Sequence, residues 1–573
     1  MNVLIIKVNF MRQKLLPALL IALTATFLVT SCKKKTNTQG RYIPATAAVI
    51  VHVNASSVTE KLPWEEVKQG ELFRTVYTDS AMSDFAKAAL DNPENTGIDT
   101  KKDFVFFMAK DSSGSYVAFE GAIKDATKFK NYNSSVLKNG VATQKDGVEF
   151  LSDEKTTVSW NKDRFIVVTD APPAANTDEM KDWMKQMDQK MADDSMPPMP
   201  IPVLKKSTRN GVTTASGLFA LAEDVSMANN EKFSELVGTK GDMHFWINAE
   251  LLQQETPQIP QLSMINLEKM YQGAIATGAV NFENGKIDVD MKSYASKDML
   301  DLWKKYAGNK ISDDMVKRLP AKDVALFLAL NFKPEGIKEF LKLTGLDGFF
   351  NMGTAALGFN LDDFIKANKG DLVLSVSKIT KDSSGKNTAS VLFSTAIGDK
   401  ASFDKLVAAG KKMGTQGMGQ MASQLHFNSN EKYFSIGNNK ADVDQFVAKE
   451  GNTKFDFYNK IESSPIAGYV NFQYLLNSMR STAAKDSVAS MMLDSSLKFW
   501  DNALMTGGNF KNGGIVQHFE INMVDQSTNS LKQLNRYMNM VGSLAKKNTK
   551  EVNISEIRLP GNTSPADSAA IAE

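Results

Sequence analysis

Four methionines, Met180, Met184, Met187 and Met191, recur at spacings of 4, 3 and 4 in TDEMKDWMKQMDQKMADDSMPPMP (177–200). That spacing puts four thioethers on one stripe of a helix. Thioethers are soft ligands for Cu(I) and form adaptable apolar binding faces. Packing of the stripe on the body is the plainer use, since the segment has no histidine or cysteine to complete a copper site. The four histidines, His52, His244, His426 and His518, are scattered without metal-ligand spacing. His52 and His244 fall in alternating strands, which suits satisfied strand residues better than ligands. SxxK occurs at Ser152–Lys155, Ser402–Lys405 and Ser495–Lys498, but the companion motifs of penicillin-recognising sites are missing. Ser402 is read as a helix cap. KDSSG occurs at 110–114 and 381–385 and reads as a hairpin turn. DNPENTGID (91–99) lacks EF-hand spacing. MGTQGMGQM (413–421) lacks the Lys-Ser/Thr of a phosphate loop and reads as a linker. No catalytic residue, metal ligand set or cofactor is expected, and the residues lean against an enzyme while leaving that question open.

The lone cysteine, Cys32, follows a basic start and the apolar run LLPALLIALTATFLV (15–29). That run is a secretory signal, too short for a spanning helix. It ends in Val29-Thr30-Ser31-Cys32, which resembles the lipobox of bacterial lipoproteins. The resemblance implies cleavage between Ser31 and Cys32 and acylation of the Cys32 thiol, with the membrane as partner through that anchor. Lys33, Lys34 and Lys35 follow where surface-exported lipoproteins of Bacteroidota carry acidic residues. The anchor is therefore expected in the outer membrane, facing the periplasm.

The elements that must position any site come from an internal duplication. IPATAAVIVHVN (43–54) matches LPAKDVALFLALN (319–331), and the two KDSSG hairpins match, each followed by a helix with Phe129 or Phe403. TGAVNFENGKI (277–287) matches TGGNFKNGGIV (506–516). The offset falls from 268 at Val168–Ile436 to 223 at Asn248–Asn471, so the first repeat carries extra residues, placed at 172–214. Tight turns require antiparallel neighbours. The fold class is α+β: two tandem homologous repeats of mostly antiparallel sheet covered by helices. The boundaries are a signal over 1–31, lipidated Cys32 and a polar tether over 32–40, repeats over 41–310 and 311–546, and a disordered tail over 547–573. Closing helices are expected to bury Met299, Leu302, Trp303 and Tyr306, and Leu531, Leu534, Tyr537, Met538 and Val541.

Lipobox, Pro-Ala opening strand and duplicated body together resemble an uncharacterised family of Bacteroidota lipoproteins, filed as a domain of unknown function. That resemblance covers most of the mature chain and implies location and fold, with no catalytic residue. Charge is balanced, with 67 basic and 65 acidic residues, so no nucleic-acid partner is expected. The function expected is binding or scaffolding in the envelope, with an unknown protein or small apolar ligand as partner. The alternatives are an apolar-ligand carrier and an enzyme with its site at the repeat junction.

Overall fold

The computed structural model describes residues 37–77, 87, 90–154, 156–171, 209–253, 266, 268–381, 387–417, 425–448, 453–484 and 486–551. Alternation makes the first strands. In β1 (Val49–Val53) Ile50 and His52 are buried, and β2 (Phe104–Asp111) buries Val105, Phe107 and Ala109 on the same face. β2 turns into β3 (Gly114–Ala122) at DSSG, where the Asp111 carboxylate accepts the Ser113 N–H at 2.8 Å and Gly114 has φ +114°. The first KDSSG is thus a hairpin turn; residues 382–385 of the second lie outside the described residues.

The chain continues through β4 (Val141–Lys145), β5 (Val148–Ser152), β6 (Thr156–Trp160) and β7 (Arg164–Asp170). After helices come β8 (Met243–Asn248), β9 (Ile275–Glu283) and β10 (Lys286–Tyr294). The second part supplies β11 (Val324–Asn331), β12 (Asn368–Lys381), β13 (Asn387–Ile397), β14 (His426–Ser429), β15 (Tyr433–Gly437), β16 (Ile466–Asn471), β17 (Trp500–Lys511) and β18 (Gly514–Met523). β17 and β18 are joined by Asn512-Gly513, both at positive φ, the requirement of a type I′ turn.

All these strands pair antiparallel in one sheet. The two parts meet where β10 pairs with β18, from Lys286↔Asn522 to Ser293↔Ile515. Outward from that seam the order is β9, β8, β1, β2, β3, β7, β6 on one side. On the other it is β17, β16, β11, β12, β13, β15, β14. β5 and β4 then extend the first edge.

Helices cover the sheet as the α+β reading requires. Trp246, Phe107 and Ile50 pack with Phe233 and Leu218 from helices Glu231–Gly238 and Gly211–Phe219. Phe327 and Val373 pack with Val443 and Phe446 from helix Lys440–Ala448. On the opposite face the seam's Ile287, Val289 and Ile521 lie under Leu531, Leu534 and Tyr537 of helix Ser530–Glu551. The paired phenylalanines behave alike: Phe129 stacks on Phe165 at 5.1 Å, and Phe403 lies 5.2 Å from Phe434.

Several local expectations change. Met538 is 48% exposed, because Leu531, Leu534 and Tyr537 already fill the contact with the seam. Asp399, not Ser402, caps helix Lys400–Gly417, its carboxylate accepting the Ser402 N–H at 2.8 Å. That helix also takes in 413–417, which the glycines led us to read as linker; residues 418–424 lie outside the described residues. The last helix runs to Glu551, past the predicted boundary at 546. Residues 209–214, placed in the insertion, belong to the body. Arg209 is nearly buried and grips Asp111, Asp170 and the Gly114 carbonyl.

Candidate functional site

Register places the titratable side chains in one line. Direct cross-strand partners run Glu120, Val105, His52, His244, Ala279, Asp290, His518, Thr506. Directly opposed residues share a face, so all eight side chains point the same way.

The first cluster on this line is a histidine pair. His52 Nδ1 and His244 Nδ1 are 3.0 Å apart and both residues are buried. His52 Nε2 lies 3.1 Å from Asp103 Oδ2, and His244 Nε2 lies 2.9 Å from the Thr239 carbonyl. Three hydrogen bonds need three protons, one more than two neutral imidazoles carry. A proton shared by the Asp103–His52 pair would complete all three bonds. The hydrogen bond from His52 holds the Asp103 carboxyl below its usual range, and burial pushes His244 down. The pair lies within the first part rather than across the two parts, and each histidine is the satisfied strand residue that alternation suggests. Neither tautomer leaves a lone pair for a metal while these bonds stand. His52→Leu or His244→Leu alone should cost about 1–3 kcal/mol, because each strands a buried partner. The double variant should cost less than the sum of the singles, which a double-mutant cycle on denaturant midpoints reads. Additive effects would show that the two rings are uncoupled.

The second cluster lies at the seam. A cleft of about 420 Å³ opens there, lined among others by Lys232, Lys292, Tyr294, Thr277, Thr506 and His518. Lys232 Nζ and Lys292 Nζ stand 4.5 and 4.9 Å from the Tyr294 ring centroid. An electron-rich ring face attracts both cations. Lys292 also holds Glu235 at 3.0 Å. Among the described residues no carboxylate lies within ion-pair distance of Lys232. Burial and the neighbouring Lys292 ammonium push its pKa down. Asp290 and His518 also line the cleft, and beside it Asp288 and Glu520 converge on them from β10 and β18.

Of the residues singled out in the sequence, His518 is brought into this site and His52 and His244 into the other. His426 is exposed on β14. Ser152 bonds Thr157, and Ser495 bonds the Met491 carbonyl of its own helix. DNPENTGID forms a short turn in which Asn92 caps the Glu94 N–H. Cys32, Ser31, Met180, Met184, Met187 and Met191 lie outside the described residues. Sequence reasoning passed over Lys232, Lys292, Asp288, Asp290 and Glu520. A signal was there for β10: KIDVDMK carries a charge at every second residue, which marks one polar strand face.

No curated protein matches this chain. Among solved structures it is similar to TP0453 in crystal forms IV, I and III, at 11%, 11% and 9% identity. These matches cover 44%, 46% and 49% of this chain and 80%, 81% and 91% of that one, with TM-scores of 0.22, 0.21 and 0.23. Likeness at that level carries no argument about fold or function. Residues 41–198 match a family model described as a domain of unknown function, DUF4836.

Proposed function

We propose that this chain is a lipid-anchored envelope protein with a non-enzymatic binding role, and that the seam cleft receives an anionic group of its ligand. The observation that carries this reading is the Lys232–Tyr294–Lys292 arrangement, with Lys232 unmatched by any described carboxylate. Thr506 lines the same space with a hydroxyl, while the Thr277 hydroxyl beside it donates to the Lys292 carbonyl at 3.2 Å. An anion entering there relieves the repulsion between two ammonium groups and gains charge-assisted hydrogen bonds. Acylation of Cys32 anchors the body to the outer membrane on its periplasmic side, a reading that rests on Val29-Thr30-Ser31-Cys32 and the three lysines after it. The body is read as a duplication, supported by the matching succession of seven strands on each side of the seam.

A second reading, carriage of an apolar ligand, has an observation of its own. Phe106, Ile247, Leu328 and Phe393 are 44%, 37%, 41% and 37% exposed on the sheet face opposite the histidines. Exposed apolar side chains in such numbers on one face suit contact with an apolar partner.

Native mass spectrometry of the chain extracted gently from its own envelope tests the first reading. The expected result is a chain beginning at acylated Cys32 that carries a small anionic adduct, with the adduct lost in Lys232→Glu. An unacylated chain sinks the anchor. An acylated chain without adduct, or with an adduct indifferent to Lys232→Glu, sinks the cleft.

A further inference from the structure

We infer a divalent-cation site between β10 and β18, formed by Asp288, His518 and Glu520 and suited to a borderline ion of the Zn²⁺ class. One ligand atom from each of the three lies within 4.8 Å of the other two. The argument rests on which atoms are already used. Asp290 Oδ1 is 2.8 Å from His518 Nδ1. A proton on Nδ1, donated to Asp290, fixes the tautomer and leaves the Nε2 lone pair free. That lone pair lies 3.7 Å from Asp288 Oδ1, too far for a hydrogen bond and a natural separation for two ligands of one ion. Asp288 Oδ1 is fully buried and accepts no hydrogen bond, while Oδ2 of the same carboxylate holds Lys286 at 2.8 Å. On Glu520, Lys460 and Asn522 both bond Oε1, at 2.6 and 2.9 Å, and Lys286 Nζ stands 3.7 Å from Oε2.

The plainer account is a charge network, in which Lys286 and Lys460 balance Asp288 and Glu520. It explains the bonded oxygens. It leaves a buried carboxylate oxygen without a donor, which folded proteins avoid. A cation between the strands engages that oxygen, the Nε2 lone pair and a carboxylate oxygen of Glu520 at once. A histidine ligand backed by a carboxylate on its other nitrogen is the usual support of a protein-bound metal. One imidazole with two carboxylates suits zinc and its neighbours better than calcium, which takes oxygen ligands. The site stands independently of the anion reading, because none of its three ligands depends on Lys232.

The test uses the full chain stripped with a chelator, titrated with Zn²⁺ by calorimetry and with Co²⁺ by visible absorption. One ion per chain is expected, with ligand-field bands for Co²⁺. His518→Ala should abolish the bands. Asp290→Asn, which touches His518 only at the non-ligating Nδ1, should weaken Zn²⁺ binding about 10–100-fold. Circular dichroism of the metal-free variants checks folding. Asp290 is largely exposed, so Asp290→Asn still reads the site should His518→Ala fail to fold. No binding by the parent, or equal binding by parent and both variants, overturns the site.

Discussion

Trp246→Ala should destabilise the chain by about 3–5 kcal/mol, whereas Trp246→Phe should cost less than about 1 kcal/mol. The indole is 2% exposed, lies between Ile50 on β1 and Thr277 on β9, and meets Phe233 edge-on at 6.2 Å. Alanine leaves a cavity that β1, β8 and β9 cannot close, because their backbones are fixed in the ladder. Phenylalanine loses less volume, and it removes an N–H that has no acceptor. A buried unsatisfied donor costs about 1–3 kcal/mol, which offsets much of the lost packing. The seam adds a second expectation. β10 and β18 pair over eight registered positions, so the two parts should unfold together. Phe327→Ala, in the core of the second part, should therefore shift the same urea transition that Trp246→Ala shifts. Two separate transitions, each moved by one variant, would show that the seam does not couple the parts.

The seam is also the feature that marks the limit of sequence reasoning. Hairpins were legible because their information is local. Asp111 and Gly114 set one turn, Asn512 and Gly513 another, and strand alternation supplied the buried faces. The pairing of Asp290 with His518 is different in kind. It joins residues 228 apart, and no turn or periodicity reports it. A one-residue slip would send His518 to the opposite face. The histidine pair follows the same logic: His52 and His244 are 192 apart and meet only through the β1–β8 register. Lys232 sits on a helix and Lys292 on a strand, so the cleft they line exists only after the helix docks. The buried core could be listed from apolar alternation, while the candidate site is a property of register.

Register also explains why Glu120 sits on the buried face, and the consequence can be read as pH dependence. Glu120 is fully buried, its Oε1 has no hydrogen-bond partner, and Arg164 reaches Oε2 at 3.3 Å. Burial pushes its pKa up to about 7 against the opposing pull of Arg164. The unfolded chain holds the same group near its ordinary value of about 4.3. Between these values the folded state binds more protons, so stability falls as pH rises through the window and is flat above it. The stabilising contribution is fully present below about pH 4 and lost by about pH 8, a loss on the order of 3 kcal/mol. Glu120→Gln cannot ionise, so its contribution is constant with pH. The stability difference between Glu120→Gln and the parent should move in favour of the variant by about that amount between pH 5 and pH 8, read from denaturant midpoints at fixed ionic strength. All other titratable groups are common to both proteins and cancel in the difference. Parallel profiles would mean that Arg164 keeps Glu120 ionised throughout, and that the ion pair outweighs the cost of burying its carboxylate.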